Sequence, residues 1–441
     1  MSVISNPERE GRLNAYFDRI GRTLGNKCRR EAFAQYAIGL FSDIERKSVE
    51  PIAALVCPEP ALCRAVTEKL LHFVGESGWD DRTLRLCDVR YALESMTRRE
   101  SMESWIFDDT GFIKQGDLSP GVQRQYTGSA GKKTNCQIGV SLTLTTRTLE
   151  LPVDMDLYLP KSWADDRKRC RAAHIPDNIE YRAKWQIALD LAQRAMDAGL
   201  PPGLVLADSG YGDTGAFRDG IRALGLKYAV DVKKHTQVRI ACSDGTISDT
   251  MSVATVADVI GAREYRRTTW RQGTRRALHS RFAAVRVHVV HGGDVDPEEQ
   301  WLIIERPDNA AAPEHYVLST LAKRTTRKQL VRLTKQRWRI ERTYEDMKGE
   351  FGLDHFEGRS YRGWQHHVSI VLACYAFAVA ERAQVFPPQG PKDARRLHVR
   401  CRGLIDTSMT RWPRFEEVSS IHSVSGCPNA FALYALKSRA S

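Results

Sequence analysis

No two of the ten cysteines stand in Cys-x-x-Cys spacing, so a structural zinc site is not expected. They are scattered from position 28 to position 427. With no secretory leader pattern, that scatter points to reduced thiols in a cytoplasmic protein. Long apolar runs are missing too. The longest, VSIVLACYAFAVA at 368–380, is too short to span a bilayer and predicts a buried helix, so no membrane partner is expected. There are no internal repeats and no low-complexity blocks. Acid is in shorter supply than base: 54 Asp and Glu stand against 66 Lys and Arg, a net charge of +12. A surplus of that size favours polyanionic partners, nucleic acid above all. With 27% charged and 42% hydrophobic residues, the composition supports a large core and excludes wholesale disorder. The 441 residues are enough for roughly three domains.

Residues 1–97 read as a helical domain. RREAFAQYAIGLFSDIERKS sets Phe33, Tyr36, Leu40 and Ile44 at helical spacing with charges between them. PEPALCRAVTEKLLHFVGESG has a proline entry and a glycine exit. A basic helical module of this kind is a candidate DNA-binding domain, with plain helical packing as the other reading, since no recognition helix stands out. From about 100 the pattern turns to strands. SWIFD comes first, then NCQIGVSLTLTT, with TLELPVDMDLYLP as its hairpin partner. A helix is expected over about 180–198, ending on Gly199. A short buried strand in GLVLADSGYG, a helix opened by Asp213 and the strand KYAVDV follow. Residues about 234–320 are strand-rich and irregular. A long helix is expected over about 325–350 and the buried one over 366–382. FPPQGPKD then opens a C-terminal region, 386–441, whose role the residues do not reveal. Hairpin strands followed by strand–helix alternation predict an α/β fold, a mixed sheet flanked by helices. In such sheets, sites form where strands end.

Three acids stand out by position. Asp108 is expected to end the first strand. Asp208 ends LVLAD, before a turn through Ser209-Gly210-Tyr211-Gly212. Glu341 falls in the middle of the expected long helix. Each has a plain alternative: Asp208 as a turn-capping side chain, Glu341 as one charge on a solvated face. Arg337, Glu341 and Lys348 share one helix face, because four residues rotate by about one turn plus 40° and seven by within about 20° of two turns. A carboxylate between two cations suits a site for metal and phosphate, though charge-paired surface helices look the same.

Arg337-x3-Glu341-x6-Lys348 resembles most of the Y-(2)-R-(3)-E-(6)-K signature of DDE-superfamily transposases of bacterial insertion sequences. DDTGFIKQG, QYTGSAGKKTNCQIGVSLTL and YLPKSWADDRKR resemble the first catalytic block of one DDE endonuclease branch, and VLADSGYGDTGAFRDGI its second-aspartate block. The resemblance runs from about 100 to about 385. The signature tyrosine falls on Thr334, a departure that puts in doubt a phosphate-positioning role there. The resemblance implies an RNase H-like catalytic domain over 98–385, with 234–320 as a strand-rich insertion before the Glu-bearing helix. It implies two Mg²⁺ or Mn²⁺ ions held by Asp108, Asp208 and Glu341, with phosphoryl transfer between them. The family pattern Asp-x-Thr is met by Asp108 and Thr110; Asp109, on the opposite face of the strand, is the second choice.

Arg337 and Lys348 would clamp phosphates, one by a fork and the other as a point charge. Lys132 and Lys133, in the glycine-rich turn GSAGKKTN, are candidate DNA contacts, or solvated hairpin lysines. The stretch REYRRTTWRQGTRRALHSRF, 263–282, interleaves seven arginines with aromatic rings. Arg266, Arg267 and Arg271 are its candidate phosphate contacts. Trp270 is a candidate to stack on a flipped base, or a core residue of the insertion. The implied partners are double-stranded DNA, as terminal inverted repeats and target, and a second copy of the chain when two ends are paired. A nuclease that does not transpose, and a non-catalytic DNA-binding derivative, are the competing readings.

Overall fold

The computed structural model describes residues 7–385 apart from 99, 243–244 and 273–276. The region expected over 386–441 lies outside the described residues, as do Arg275 and Arg276 of the arginine-rich stretch. The chain opens with five helices, α1 (Pro7–Gly21), α2 (Lys27–Phe41), α3 (Val49–Val56), α4 (Pro60–Gly75) and α5 (Asp81–Met96). Local chemistry sets their starts. The Asn26 and Asp80 side chains accept backbone N–H groups of α2 and α5, and Pro60 opens α4.

Four strands follow: β1 (Ser104–Ile113), β2 (Gln123–Thr127), β3 (Lys132–Thr145) and β4 (Glu150–Tyr158). Then come α6 (Lys161–Ala164), α7 (Arg167–Ala172), α8 (Lys184–Asp197), β5 (Leu204–Ala207), α9 (Ser209–Gly212), α10 (Gly215–Ala223) and β6 (Tyr228–Val232). The strand-rich stretch holds β7 (Gln237–Ile240), β8 (Met251–Ser252), α11 (Val253–Val259), β9 (Arg266–Gln272), β10 (Ala277–His291), β11 (Asp294–Val295), β12 (Gln300–Arg306) and β13 (His315–Ser319). Helices α12 (Arg327–Thr334), α13 (Trp338–Phe351) and α14 (Tyr361–Val385) close the described chain.

The fold is α/β, a large mixed sheet flanked by helices. β4 pairs with β3 and β3 with β1, both antiparallel; β1 then pairs with β5, and β5 with β6, in parallel. The strands of the stretch between β6 and the Glu-bearing helix continue the same sheet. β13 adds antiparallel to β6, followed by β12, β10 and β7.

Three expectations are corrected. Asp213 does not open α10, which Thr214 precedes; its carboxylate accepts from the Thr236 hydroxyl at 2.6 Å instead. β1 does not end at Asp108. It runs on to Ile113 because β3 pairs with it throughout, from Ser104↔Thr145 to Ile113↔Cys136. What ends early is its parallel partner: β5 pairs only with Ser104, Trp105 and Ile106. Nor is there one long helix over 325–350. The chain breaks at Lys335–Arg337 between α12 and α13, so Glu341 sits in the first turn of α13.

α14 runs through the centre of the helical layer. Every residue from Gly363 to Glu381 is buried, as a helix apolar nearly all round must be. The Tyr16 hydroxyl donates to the Ala373 carbonyl at 2.7 Å, and Arg12 meets Glu381 at 2.6 Å. The five N-terminal helices, α14 and the sheet share one continuous core.

Candidate active site

Register sets the site. The last β1–β5 pair is Ile106↔Leu206, so two residues further along each strand stand Asp108 and Asp208. The last β5–β6 pair is Ala207↔Val230, so one residue further stand Asp208 and Asp231. Three aspartates are therefore level across three parallel strands, at the edge where β5 stops. Strand ends of this kind are where α/β sheets leave room for ligands.

Each acid is held differently. Asp108 accepts the Asp109 backbone N–H at 2.8 Å through Oδ1 and an Arg337 Nη1–H at 3.3 Å through Oδ2. Asp208 caps α9, accepting the Gly210 N–H at 2.8 Å through Oδ1, as the turn-capping reading expects. Asp231 lies 3.7 Å from Arg337 Nε. The turn after β5 lies directly on this strand: a Cβ on Gly212 would come within 2.2 Å of the Asp231 carbonyl oxygen, so only glycine fits there.

Asp109 points to the other face, as alternation requires. Its carboxylate meets Lys184 of α8 at 2.9 Å and accepts from the Tyr211 hydroxyl at 3.3 Å.

α13 is laid over β1 by a buried arginine. Arg339 donates to Glu150 at 2.7 Å and to the carbonyls of Thr146 and Leu149 at 2.6 and 2.8 Å, gripping the β3–β4 turn. Tyr344 bonds Ser141 of β3 at 2.6 Å, and Ser141 is the residue paired with Asp108. The predicted stripe then faces β1. Arg337 reaches Asp108, while the Lys348 ammonium donates to the Gly111 carbonyl at 2.8 Å and the Ser129 hydroxyl at 3.0 Å. Glu341 lies between them, exposed, in the neighbourhood of Arg337.

Burial dominates the electrostatics. It pushes the Asp108 carboxyl up to about 7; Arg337 pulls it down, and Asp208 and Asp109 push it further up. Asp231 is also raised, by burial first, with Arg337 opposing. Burial works against the Arg337 charge, but Asp108, Asp231, Asp208 and Glu341 outweigh it and hold the guanidinium above its ordinary value. Burial lowers Lys348.

Among the described residues, no three His, Cys, Asp or Glu side chains are gathered closely enough to hold a metal ion. Arg337 is the cation these acids share, 3.3 Å from Asp108 and 3.7 Å from Asp231. The donor set nevertheless suits a divalent ion: hard carboxylate oxygens, among them the Asp108 carboxylate, which burial and its acidic neighbours push up despite Arg337.

The remaining candidates lie at the margins of the site. Lys132 and Lys133 are exposed where β3 begins, and the adjoining turn carries Ser129, the residue held by Lys348. On β9, Arg266 is exposed. Arg267 pairs with Asp308 at 3.1 Å. The Trp270 ring is half-buried beneath Lys335, 4.4 Å from its ammonium, and Arg271 lies 3.4 Å over the Trp338 ring. These two contacts join β9 to the α12–α13 junction. Asp231 is absent from the sequence-derived candidates. Its signal was nonetheless there, since KYAVD repeats the pattern of LVLAD: an apolar strand running into an aspartate.

The sequence profile of the DDE superfamily endonucleases matches residues 19–277. The chain belongs to the DDE superfamily of endonucleases. The match takes in Asp108 and Asp208 and ends before Glu341. The DDE endonuclease is also 31% identical over 211 residues to a probable transposase for insertion sequence element IS701 from Microchaete diplosiphon, covering 48% of this chain and 50% of that protein. It thus spans about half the length of the curated relative it matches. No helix among the described residues is long and apolar enough to cross a membrane.

Proposed function

We propose that this DDE endonuclease is a transposase, which binds the terminal inverted repeats of an insertion sequence, cleaves there and joins the ends to target DNA. The observation that carries the reading is the level placement of Asp108 and Asp208 on adjacent parallel strands, facing the helix that bears Arg337 and Glu341. Asp108, Asp208 and Glu341 would hold two Mg²⁺ or Mn²⁺ ions. When bound, these supply Lewis acidity for phosphoryl transfer. Arg337 offers a planar fork to phosphate oxygens and Lys348 a point charge at the end of β1. Lys132, Lys133, Arg266, Arg267 and Arg271 extend the basic track for duplex DNA, and Trp270 offers a ring to an unstacked base. Two copies of the chain would bring two ends together.

The test uses the purified chain and a DNA fragment carrying the inverted repeats that flank its gene. Mg²⁺-dependent cleavage is expected from the wild type and lost in Asp208→Asn, with binding of the ends in EDTA retained. Equal cleavage by the variant would remove Asp208 from the site.

A further inference from the structure

The proposed chemistry makes no use of Asp231, yet Asp231 stands half-buried beside the arginine that meets Asp108. Side chains acting on it are Arg337, His315, Asp208 and Lys335. Lys335 is committed to Glu305 at 2.8 Å, and Arg337 is the cation in ion-pair reach of both acids, 3.7 Å from Asp231 and 3.3 Å from Asp108. Asp231 lies two strands from Asp108, with the β5 line between them. At about 4.8 Å per strand the two backbones are near 10 Å apart, and one guanidinium closes the gap between the carboxylates, with Nη1 toward Asp108 and Nε toward Asp231.

We propose that Asp231 is a positioning residue for Arg337: its carboxylate holds the guanidinium when a divalent cation takes Asp108. The proposal rests on reading Asp108 as a cation ligand. Its physical basis is the cost of leaving a partly buried charge without a partner. With Asp231 present, Arg337 keeps an anionic partner after leaving Asp108, and its Nη edge is freed for a phosphate. Without it, Arg337 loses the partner that draws it off Asp108 and competes with the cation more strongly.

The experiment is titration of the full chain with Mn²⁺ in the absence of DNA, followed by calorimetry, on a double-mutant cycle. Asp231→Asn is expected to weaken Mn²⁺ binding by roughly tenfold, the order seen for coupled neighbours. In an Arg337→Gln background the same change is expected to have less than about a twofold effect, because the competitor is gone. Equal weakening in both backgrounds would mean that Asp231 acts through its own charge, and overturns the proposal, as does unchanged binding in Asp231→Asn. Should Asp231→Asn fail to fold, Arg337→Lys serves instead: it keeps the charge, lacks the Nε–H that faces Asp231 and is expected to reproduce the weakening, so wild-type binding overturns the proposal. Asp108→Asn separates the two levels. Lost binding in Asp108→Asn with none lost in Asp231→Asn removes only this inference; full binding in Asp108→Asn removes the cation-site reading, and this proposal with it.

Discussion

Asp88, on α5, is wholly buried, and neither carboxylate oxygen meets a hydrogen-bond partner among the described residues. Burial pushes its pKa well up, with Arg85 opposing. The folded chain therefore keeps a proton that the unfolded chain gives up near pH 4. Stability from this group is present below that pH and is lost as pH rises toward the folded value. Asp88→Asn has no proton to lose. It is expected to be more stable than the wild type at pH 8, by about 1.4 kcal/mol for each pH unit above 4 over which the folded carboxyl keeps its proton. Thermal melts at pH 5 and pH 8 should show the gap between variant and wild type widening with pH; a gap of constant size would show that the carboxyl does not titrate in this way. Asp108 is partly buried, and Arg337 and the Asp109 amide answer it. Local sequence distinguishes the two only in part. The run Trp105-Ile106-Phe107 before Asp108 announces a buried strand meeting an acid. Nothing in the helical pattern around Asp88 says that its face is turned inward.

At the scale of elements, strands and helices were legible from periodicity, while their partners were not. SWIFD and LVLAD could be read as buried strands, since apolar runs bounded by turn residues are a local signal. That Asp208 would stand level with Asp108 depends on a register between strands 100 residues apart, which no local pattern encodes. The break between α12 and α13 was hidden because TKQRWRIER keeps good helix formers through the turn. What holds α13 in place is tertiary: Arg339, buried, joins it to Glu150 and to two carbonyls of the β3–β4 turn. Arg339→Met keeps the stem and removes the donors. A loss of about 3–5 kcal/mol is expected, as for breaking a buried ion pair from one side. Denaturant midpoints would check it, and a variant as stable as the wild type would show that packing alone seats the helix.

The whole molecule raises the question of whether residues 1–97 are a separable domain, as helical composition suggests, or part of the catalytic body. The family profile begins at residue 19, well inside those helices. The contacts point the same way. Arg85 of α5 bonds Asp154 of β4 at 2.6 Å, Gln365 of α14 at 2.7 Å and Ser369 at 2.7 Å, so one buried guanidinium ties helical segment, sheet and central helix together. Without α1–α5, α14 would expose Ala373, Phe377 and their neighbours, and Asp154 would lose one of its two arginines. Large apolar surfaces of that kind drive association rather than folding. A chain beginning at residue 98 is therefore expected to be insoluble or to melt without a cooperative transition, even though it retains the whole strand β1. Differential scanning calorimetry of that fragment against the full chain decides the matter. A sharp, reversible transition in the fragment would show that the helices are an appended module, and that the catalytic sheet closes its core without them.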